Sequence, residues 1–197
     1  MPDKRRVVLN APNLVTLLRI ILIPLIVGVF YVPDSWLAPD DKNLAATAIF
    51  IVAAVTDWLD GYLARKLDQM SAFGAFFDPV ADKLVVVGAL VILLYLNRLD
   101  MVVALIIIGR EIAISALREW MAQIGASRSV AVHMLGKVKT VMQMVAIPFL
   151  LYDGKLFRLI DTRLWGTVLI YIAAVLTIWS MVYYLRKALP EIRARAR

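Results

Sequence analysis

The sequence predicts an all-α integral membrane protein, a bundle of six transmembrane helices in one domain that covers residues 1–197. Hydrophobic residues make up 62% of the chain, and its mean hydropathy of +0.79 is well above that of soluble globular domains. Six apolar runs also reach the roughly 20 residues that a helix needs to cross a bilayer. These runs are Ala11–Val32, Asn43–Leu63, Ala75–Leu96, Met101–Met121, His133–Tyr152 and Leu164–Leu185.

The charge of the chain fits a membrane protein better than a nucleic-acid-binding one. The formal net charge is +7, but most basic residues lie between or beside the apolar runs. No cysteine is present, which excludes disulfides. A short basic segment precedes the first run and no small-residue cleavage site follows it, so we expect this run to be a retained helix rather than a signal peptide.

The distribution of Lys and Arg predicts the orientation of the bundle, because cytoplasmic loops of membrane proteins are enriched in both. One side carries most of the cations, including the basic tail. The other side has fewer cations than aspartates. Its cations are Lys42, Arg98, Lys155, Arg158 and Arg163, and its aspartates are Asp34, Asp40, Asp41, Asp100, Asp153 and Asp161. We therefore expect both termini, and a polar cavity between the helices, to face the cytoplasm.

The first predicted helix carries three polar residues near one face, Asn13, Thr16 and Arg19. Two interpretations are open from composition. Thr16 could bond to its own helix backbone while Arg19 extends toward the membrane interface. Alternatively, the three side chains could bind a ligand, since polar groups inside a membrane are costly without a task.

Four aspartates lie at adjoining ends of the second and third runs. At about 100° per residue, Asp57 and Asp60 share one face of a helix, and Asp78 and Asp82 share one face of the next. An ionised carboxylate costs several kcal/mol in an apolar environment unless a partner offsets it. Two such faces joined by a short connection would bring the four carboxylates together.

We interpret this acidic cluster as a divalent-metal site. Carboxylates without Cys or His nearby favour Mg²⁺ or Mn²⁺ over zinc. Gly61 and Gly74 lie on the same faces and leave room for a bulky ligand beside the backbone. The alternative is a buried ion-pair network with Arg65 and Lys83, although two cations cannot balance four anions.

The fourth and fifth runs carry cations that could hold a phosphorylated substrate. Arg110, Arg118 and Lys137 are the candidates, and the alternative is pairing with neighbouring glutamates plus contact with anionic lipid. For Lys139 and Arg128 we expect lipid contact or a role in topology. Aromatic residues near the segment ends are expected to form an interfacial belt. They are Tyr31, Trp36, Trp120, Tyr152, Trp165, Tyr183 and Tyr184.

The acidic segment resembles the signature of the CDP-alcohol phosphotransferases, integral membrane enzymes of phospholipid synthesis. The pattern is D-x2-D-G-x2-A-R-x8-G-x3-D-x3-D, and its fixed positions are Asp57, Asp60, Gly61, Ala64, Arg65, Gly74, Asp78 and Asp82. The resemblance implies two Mg²⁺ or Mn²⁺ ions per site on the four aspartates, with Asp82 also the catalytic general base. The P-N-x-x-T-x-x-R pattern of the first helix, with Asn13, Thr16 and Arg19, is similar to the family's first helix. The resemblance implies a cytidine diphosphate site at Asn13, Thr16, Arg19, Asp57, Gly61, Ala64, Arg65 and Gly74.

Three later stretches, residues 109–121, 129–132 and 136–144, closely resemble bacterial phosphatidylglycerophosphate synthases within that family. This resemblance implies CDP-diacylglycerol as donor, sn-glycerol 3-phosphate as acceptor, and phosphatidylglycerophosphate and CMP as products. The acceptor phosphate would contact Arg110, Arg118 and Lys137. The resemblance also implies a homodimer in the bacterial inner membrane, surrounded by membrane lipids.

Other functions remain open at this point. A related enzyme could use inositol phosphate, serine or a second lipid as its acceptor. A metal-ion transporter could use the aspartates as a transport site, but we find no paired inverted repeats that would support it. A non-catalytic scaffold would leave four costly acids without a purpose.

Overall fold

The computed structural model describes residues 11–66, 72–125 and 134–195, and nearly all of this part of the chain is helical. A short antiparallel hairpin, β1 and β2, separates the last two of its six helices. The elements are α1 (Ala11–Tyr31), α2 (Pro39–Lys66), α3 (Ala72–Tyr95), α4 (Met101–Gln123), α5 (Met134–Tyr152), β1 (Lys155–Leu156), β2 (Ile160–Asp161) and α6 (Thr162–Arg195). The all-α class is confirmed, and each predicted run forms a helix.

Two helices extend well beyond the apolar runs that predicted them. Helix α2 begins at Pro39 rather than Asn43, and Asp40 and Asp41 lie in its first turn. Acidic side chains there interact favourably with the helix dipole. Helix α6 continues to Arg195, well past Leu185. A hydrophobic run locates only the apolar part of a helix, so it does not predict the polar ends.

Two of the described helices are long and apolar enough to cross a membrane, judged by length and composition. The qualifying segments are Asn13–Tyr31 in α1 and Thr162–Pro190 in α6. Ionisable residues interrupt the apolar length of other predicted spans. In α3, for example, they are Asp78, Asp82 and Lys83. The six predicted helices are therefore present, whereas the number of helices that cross a membrane stays a prediction.

One cluster of buried apolar side chains holds the six helices together. Every helix contributes to it, and its buried members include Ile26, Phe50, Leu90, Ile107, Ile147 and Ala174. Helix α1 packs mainly on α2 and α3, while α6 packs mainly on α5 and also on α4. These two groups of helices are joined through α2 with α5 and α3 with α4. The ends of α1 to α4 can therefore converge on a shared polar site.

Helices α5 and α6 approach closely at Gly166. A Cβ atom at this position would lie 2.8 Å from Cγ of Leu150 and 3.1 Å from its backbone nitrogen. The second atom belongs to the main chain and cannot rotate away. A side chain at this position would therefore push the two helices apart.

Arg98 ties together three elements in the connection between α3 and α4. Its Nη1 donates to the carbonyl oxygen of Leu151 at 2.7 Å, and its Nη2 donates to Oδ1 of Asn43 at 2.9 Å. Its Nε lies 3.0 Å from Oδ2 of Asp153. Burial lowers the pKa of the Arg98 guanidinium, while attraction by Asp153 opposes that shift. Arg98 thus satisfies a terminal carbonyl of α5 that would otherwise lack a partner.

We expect Arg98→Ala to destabilise the fold by about 3–5 kcal/mol, because it leaves the Asp153 carboxylate without its closest cation. Thermal unfolding in detergent, followed by tryptophan fluorescence, measures the loss. Arg158→Ala is the matched control, since Arg158 is exposed on the hairpin. Equal unfolding temperatures for the two variants would contradict the structural role of Arg98.

Candidate active site

The polar face of α1 is turned into the protein. Asn13, Thr16 and Arg19 are 2%, 1% and 1% exposed, respectively. Arg19 therefore does not extend to the membrane interface, and Thr16 Oγ1 donates to Oδ1 of Asp78 on another helix at 2.7 Å. The structure thus excludes the interpretation in which Thr16 and Arg19 serve only their own helix and the interface.

Arg19 brings two of the predicted carboxylates together from different helices. Its Nη1 lies 3.2 Å from Oδ1 of Asp57 in α2. The same nitrogen donates to Oδ1 of Asp82 in α3. With Asp78 bonded to Thr16 one turn earlier on α1, three of the four predicted aspartates meet a single face of this helix. Arg19 thus forms ion pairs with these carboxylates, a role for which the sequence had suggested Arg65 and Lys83.

Several predicted site residues lie outside the described side chains. These are Asp60, Gly61, Ala64, Arg65 and Lys137. Gly74 is described and is buried in α3. Among the described residues, no group of three or more acidic, histidine or cysteine side chains is close enough to hold a metal ion.

Two described carboxylates, Asp57 and Asp82, nevertheless fit part of a divalent-cation site. Asp57 and Asp82 offer carboxylate oxygens from two helices to one position, and a positive group, the Arg19 guanidinium, already lies there. Mg²⁺ and Mn²⁺ prefer this all-oxygen set of ligands. Asp57 and Asp82 are partly exposed, so an ion can reach them.

A cavity of about 630 Å³ joins these carboxylates to a group of cations. Asp57 and Asp82 line one part of it, and Arg110 and Arg118 of α4 line another. A cavity of this size accommodates a small organic substrate. Predicted metal-binding aspartates and predicted phosphate-binding arginines, which lie on different helices, therefore line one cavity.

Helix α5 contributes a buried cation that pairs with Glu111, a residue of the cavity wall. Lys139 is 1% exposed, and its Nζ donates to Oε1 of Glu111. Nη1 of Arg110 donates to the same oxygen at 3.0 Å. The prediction that Lys139 contacts lipid or only sets topology is wrong for this reason. Arg128, for which we made the same prediction, lies outside the described residues.

Helix α6 completes the surroundings of the two arginines. Nη2 of Arg118 donates to the hydroxyl of Tyr184 at 3.4 Å, and Nη2 of Arg110 donates to Oγ of Ser180 at 3.4 Å. Tyr184 is 1% exposed, so its assignment to an interfacial aromatic belt is wrong. Neither Ser180 nor Tyr184 was predicted to lie in the site. The two residues lie one helical turn apart in the sequence. This spacing indicates a shared helix face, but it does not show which helix packs against that face.

The arginines retain hydrogen-bonding capacity. Nε of Arg110 and Nε of Arg118 are buried and have no hydrogen-bond partner in the described part of the chain. Buried donors of this kind are usually satisfied in native proteins. An anionic substrate in the cavity would supply oxygens for guanidinium groups, which match phosphate geometry well.

Chemically, the cavity combines two complementary features. The aspartates provide negative oxygens that can hold cations or accept a proton. Arg110 and Arg118 provide positive charge elsewhere in the cavity, and Lys139 offsets the charge of Glu111, which also lines it. Such an arrangement suits the transfer of a phosphorylated group to a second, anionic molecule.

Comparison with known proteins places the chain in a family. The model of the CDP-alcohol phosphatidyltransferase family matches residues 9–179. A protein of Escherichia coli strain K12, named CDP-diacylglycerol–glycerol-3-phosphate 3-phosphatidyltransferase, is 49% identical over 185 residues, which is 93% of this chain and 97% of that protein. Proteins of the same name from Shigella flexneri serotype 5b and Shigella sonnei match with the same identity and coverage. The chain belongs to the CDP-alcohol phosphatidyltransferase family.

Proposed function

We propose that this chain transfers the phosphatidyl group of CDP-diacylglycerol to sn-glycerol 3-phosphate, giving phosphatidylglycerophosphate and CMP. The name of the relatives that are 49% identical supports both substrates. The observation that carries the proposal is the single cavity lined by Asp57, Asp82, Arg110 and Arg118. It provides carboxylates that could hold divalent cations for the reacting diphosphate, and arginines for an acceptor that itself carries a phosphate.

In the proposed reaction, a hydroxyl oxygen of the acceptor forms a bond to the phosphorus that bears diacylglycerol. The bond between that phosphorus and the oxygen of CMP breaks, and CMP leaves with the bonding electrons. The hydroxyl proton passes to the carboxylate of Asp82, the proposed general base. Arg110, Arg118 and Lys137 bind the acceptor phosphate.

The proposed metal ligands are Asp57, Asp60, Asp78 and Asp82, holding two Mg²⁺ or Mn²⁺ ions. When bound, such ions would neutralise charge on the diphosphate. The proposed nucleotide site comprises Asn13, Thr16, Arg19, Asp57, Gly61, Ala64, Arg65 and Gly74. Two roles are proposed for Asp82, and they oppose each other, because a carboxylate that holds a metal tightly accepts a proton poorly.

The proposed setting is a bacterial inner membrane crossed by all six helices. The cavity and both termini would face the cytoplasm, as the distribution of Lys and Arg predicts. The exposed apolar side chains on the helices, such as Ile21, Val91, Leu105 and Val175, suit contact with lipid tails. A homodimer is proposed from the family resemblance.

CMP release by the purified protein tests this function. We expect release from CDP-diacylglycerol only when sn-glycerol 3-phosphate is present, with loss in a chelator and recovery on addition of Mg²⁺ or Mn²⁺. Mass spectrometry of the lipid product identifies the acceptor. Faster release with serine or inositol phosphate would reject the proposed acceptor, and full activity in chelator would reject the metal site.

A further inference from the structure

One buried aromatic ring contacts both arginines of the cavity. The centroid of the Tyr184 ring lies 5.3 Å from Cζ of Arg118 and 5.9 Å from Cζ of Arg110. Both distances are within the range of cation–π attraction. The hydroxyl of the same residue also accepts from Nη2 of Arg118 at 3.4 Å. Tyr184 on α6 therefore faces two cations of α4 at once.

Tyr184 is itself held firmly. It is 1% exposed and belongs to a buried cluster with Ile114, Leu117 and Met121 of α4. Its ring also packs edge-on against that of Tyr183. A side chain fixed in this way can fix its partners, whereas a long arginine alone has many accessible conformations.

An aromatic partner differs from an acidic one in its effect on charge. A carboxylate beside Arg118 would neutralise the guanidinium and repel an incoming phosphate. Glu111 and Glu119, both described residues, line the same cavity, but Arg118 forms no salt bridge with either of them. The neutral ring of Tyr184 attracts the guanidinium through its quadrupole without neutralising its charge. Arg110 differs from Arg118, because it shares the Glu111 carboxylate with Lys139, and these two cations with one anion leave a net positive charge beside the cavity.

We propose that Tyr184 is a positioning residue that orients the guanidinium groups of Arg110 and Arg118 toward the phosphate of the acceptor. This inference rests on the proposed function and assigns Tyr184 no contact with the reacting atoms. The unpartnered Nε groups of both arginines among the described residues are consistent with such an arrangement. Loss of the ring would leave the charges present but disordered, so acceptor binding would weaken while the chemical step continued.

Two substitutions separate the contributions of the ring and the hydroxyl. Tyr184→Met removes both but refills the space with a flexible apolar side chain. We expect it to raise KM for sn-glycerol 3-phosphate about tenfold, with kcat and KM for CDP-diacylglycerol within about twofold of wild type. Tyr184→Phe keeps the ring, and we expect a rise of only about threefold. Thermal stabilisation of the protein by glycerol 3-phosphate should fall in the same order.

Tyr171→Phe is the matched control, because Tyr171 lies on the same helix but is 48% exposed. An unchanged KM for the acceptor in Tyr184→Met, or equal increases for both substrates, would overturn the inference. If Tyr184→Met does not fold, Tyr184→Leu, which also removes the ring and keeps an apolar side chain, decides, and a wild-type KM for the acceptor in that variant overturns the inference. If the wild-type protein instead prefers another phosphorylated alcohol, the proposed acceptor fails, and the same comparison is made with that alcohol.

Discussion

Replacing Asp78 by Asn is expected to lower CMP release by about 10²–10⁴-fold while leaving the fold intact. The side chain lies in α3 and accepts a hydrogen bond from Thr16 at 2.7 Å. The amide oxygen of Asn can accept the same bond, so the substitution removes charge with little change in shape. Loss of a proposed ligand charge should cost several kcal/mol of transition-state stabilisation.

The readouts for this variant are CMP release and direct metal binding. Electron paramagnetic resonance of added Mn²⁺ should show weaker binding to Asp78→Asn than to the wild-type protein. Asp100→Asn is the matched control. Asp100 caps α4 by accepting from the backbone nitrogen of Val102 at 2.8 Å, and Asn caps equally well. Retained turnover and unchanged Mn²⁺ binding in Asp78→Asn would refute its metal role.

The second large effect is expected from Arg118→Ala. We expect KM for sn-glycerol 3-phosphate to rise about 10–100-fold, because a hydrogen bond to a charged group contributes about 1.5–3 kcal/mol. KM for CDP-diacylglycerol should change by less than about twofold. We expect this difference because Arg118 lies on α4, whereas Asp57 and Asp82, which we place beside the diphosphate of the donor, lie on α2 and α3.

Steady-state kinetics, with each substrate varied in turn, measures the two KM values. Arg186→Ala serves as the control, because Arg186 is an exposed cation on α6. Removal of a basic residue there should leave both KM values near those of the wild type. Similar losses for both substrates in Arg118→Ala would reject its assignment to the acceptor.

The helices were predictable because their signal is local. Apolar runs long enough to span a bilayer located all six, from α1 to α6. The hairpin of β1 and β2 was not predicted, because its strands have only two residues each. Helix α2 also begins before its apolar run, where charged residues carry no hydrophobic signal.

The candidate site was only partly predictable. The rotation of about 100° per residue predicted that Asp57 and Asp60 share one helix face, and that Asp78 and Asp82 share a face of the next helix. Their link through Arg19 depends on how α1 packs against α2 and α3, and spacing within a helix does not contain that information. The misassignment of Lys139 has the same origin. Near a helix end it resembled an interfacial cation, yet its partner Glu111 lies on another helix.

By itself, the sequence determined the family, the helical class and the acidic motif, since each depends on residue identity and spacing along the chain. Tertiary structure alone decided which charges meet. It buried Arg19 between two carboxylates, paired Lys139 with Glu111, and placed Tyr184 against two arginines. The physical reason is that a charge buried among apolar helices must find a partner, and that partner is set by helix packing rather than by distance along the sequence.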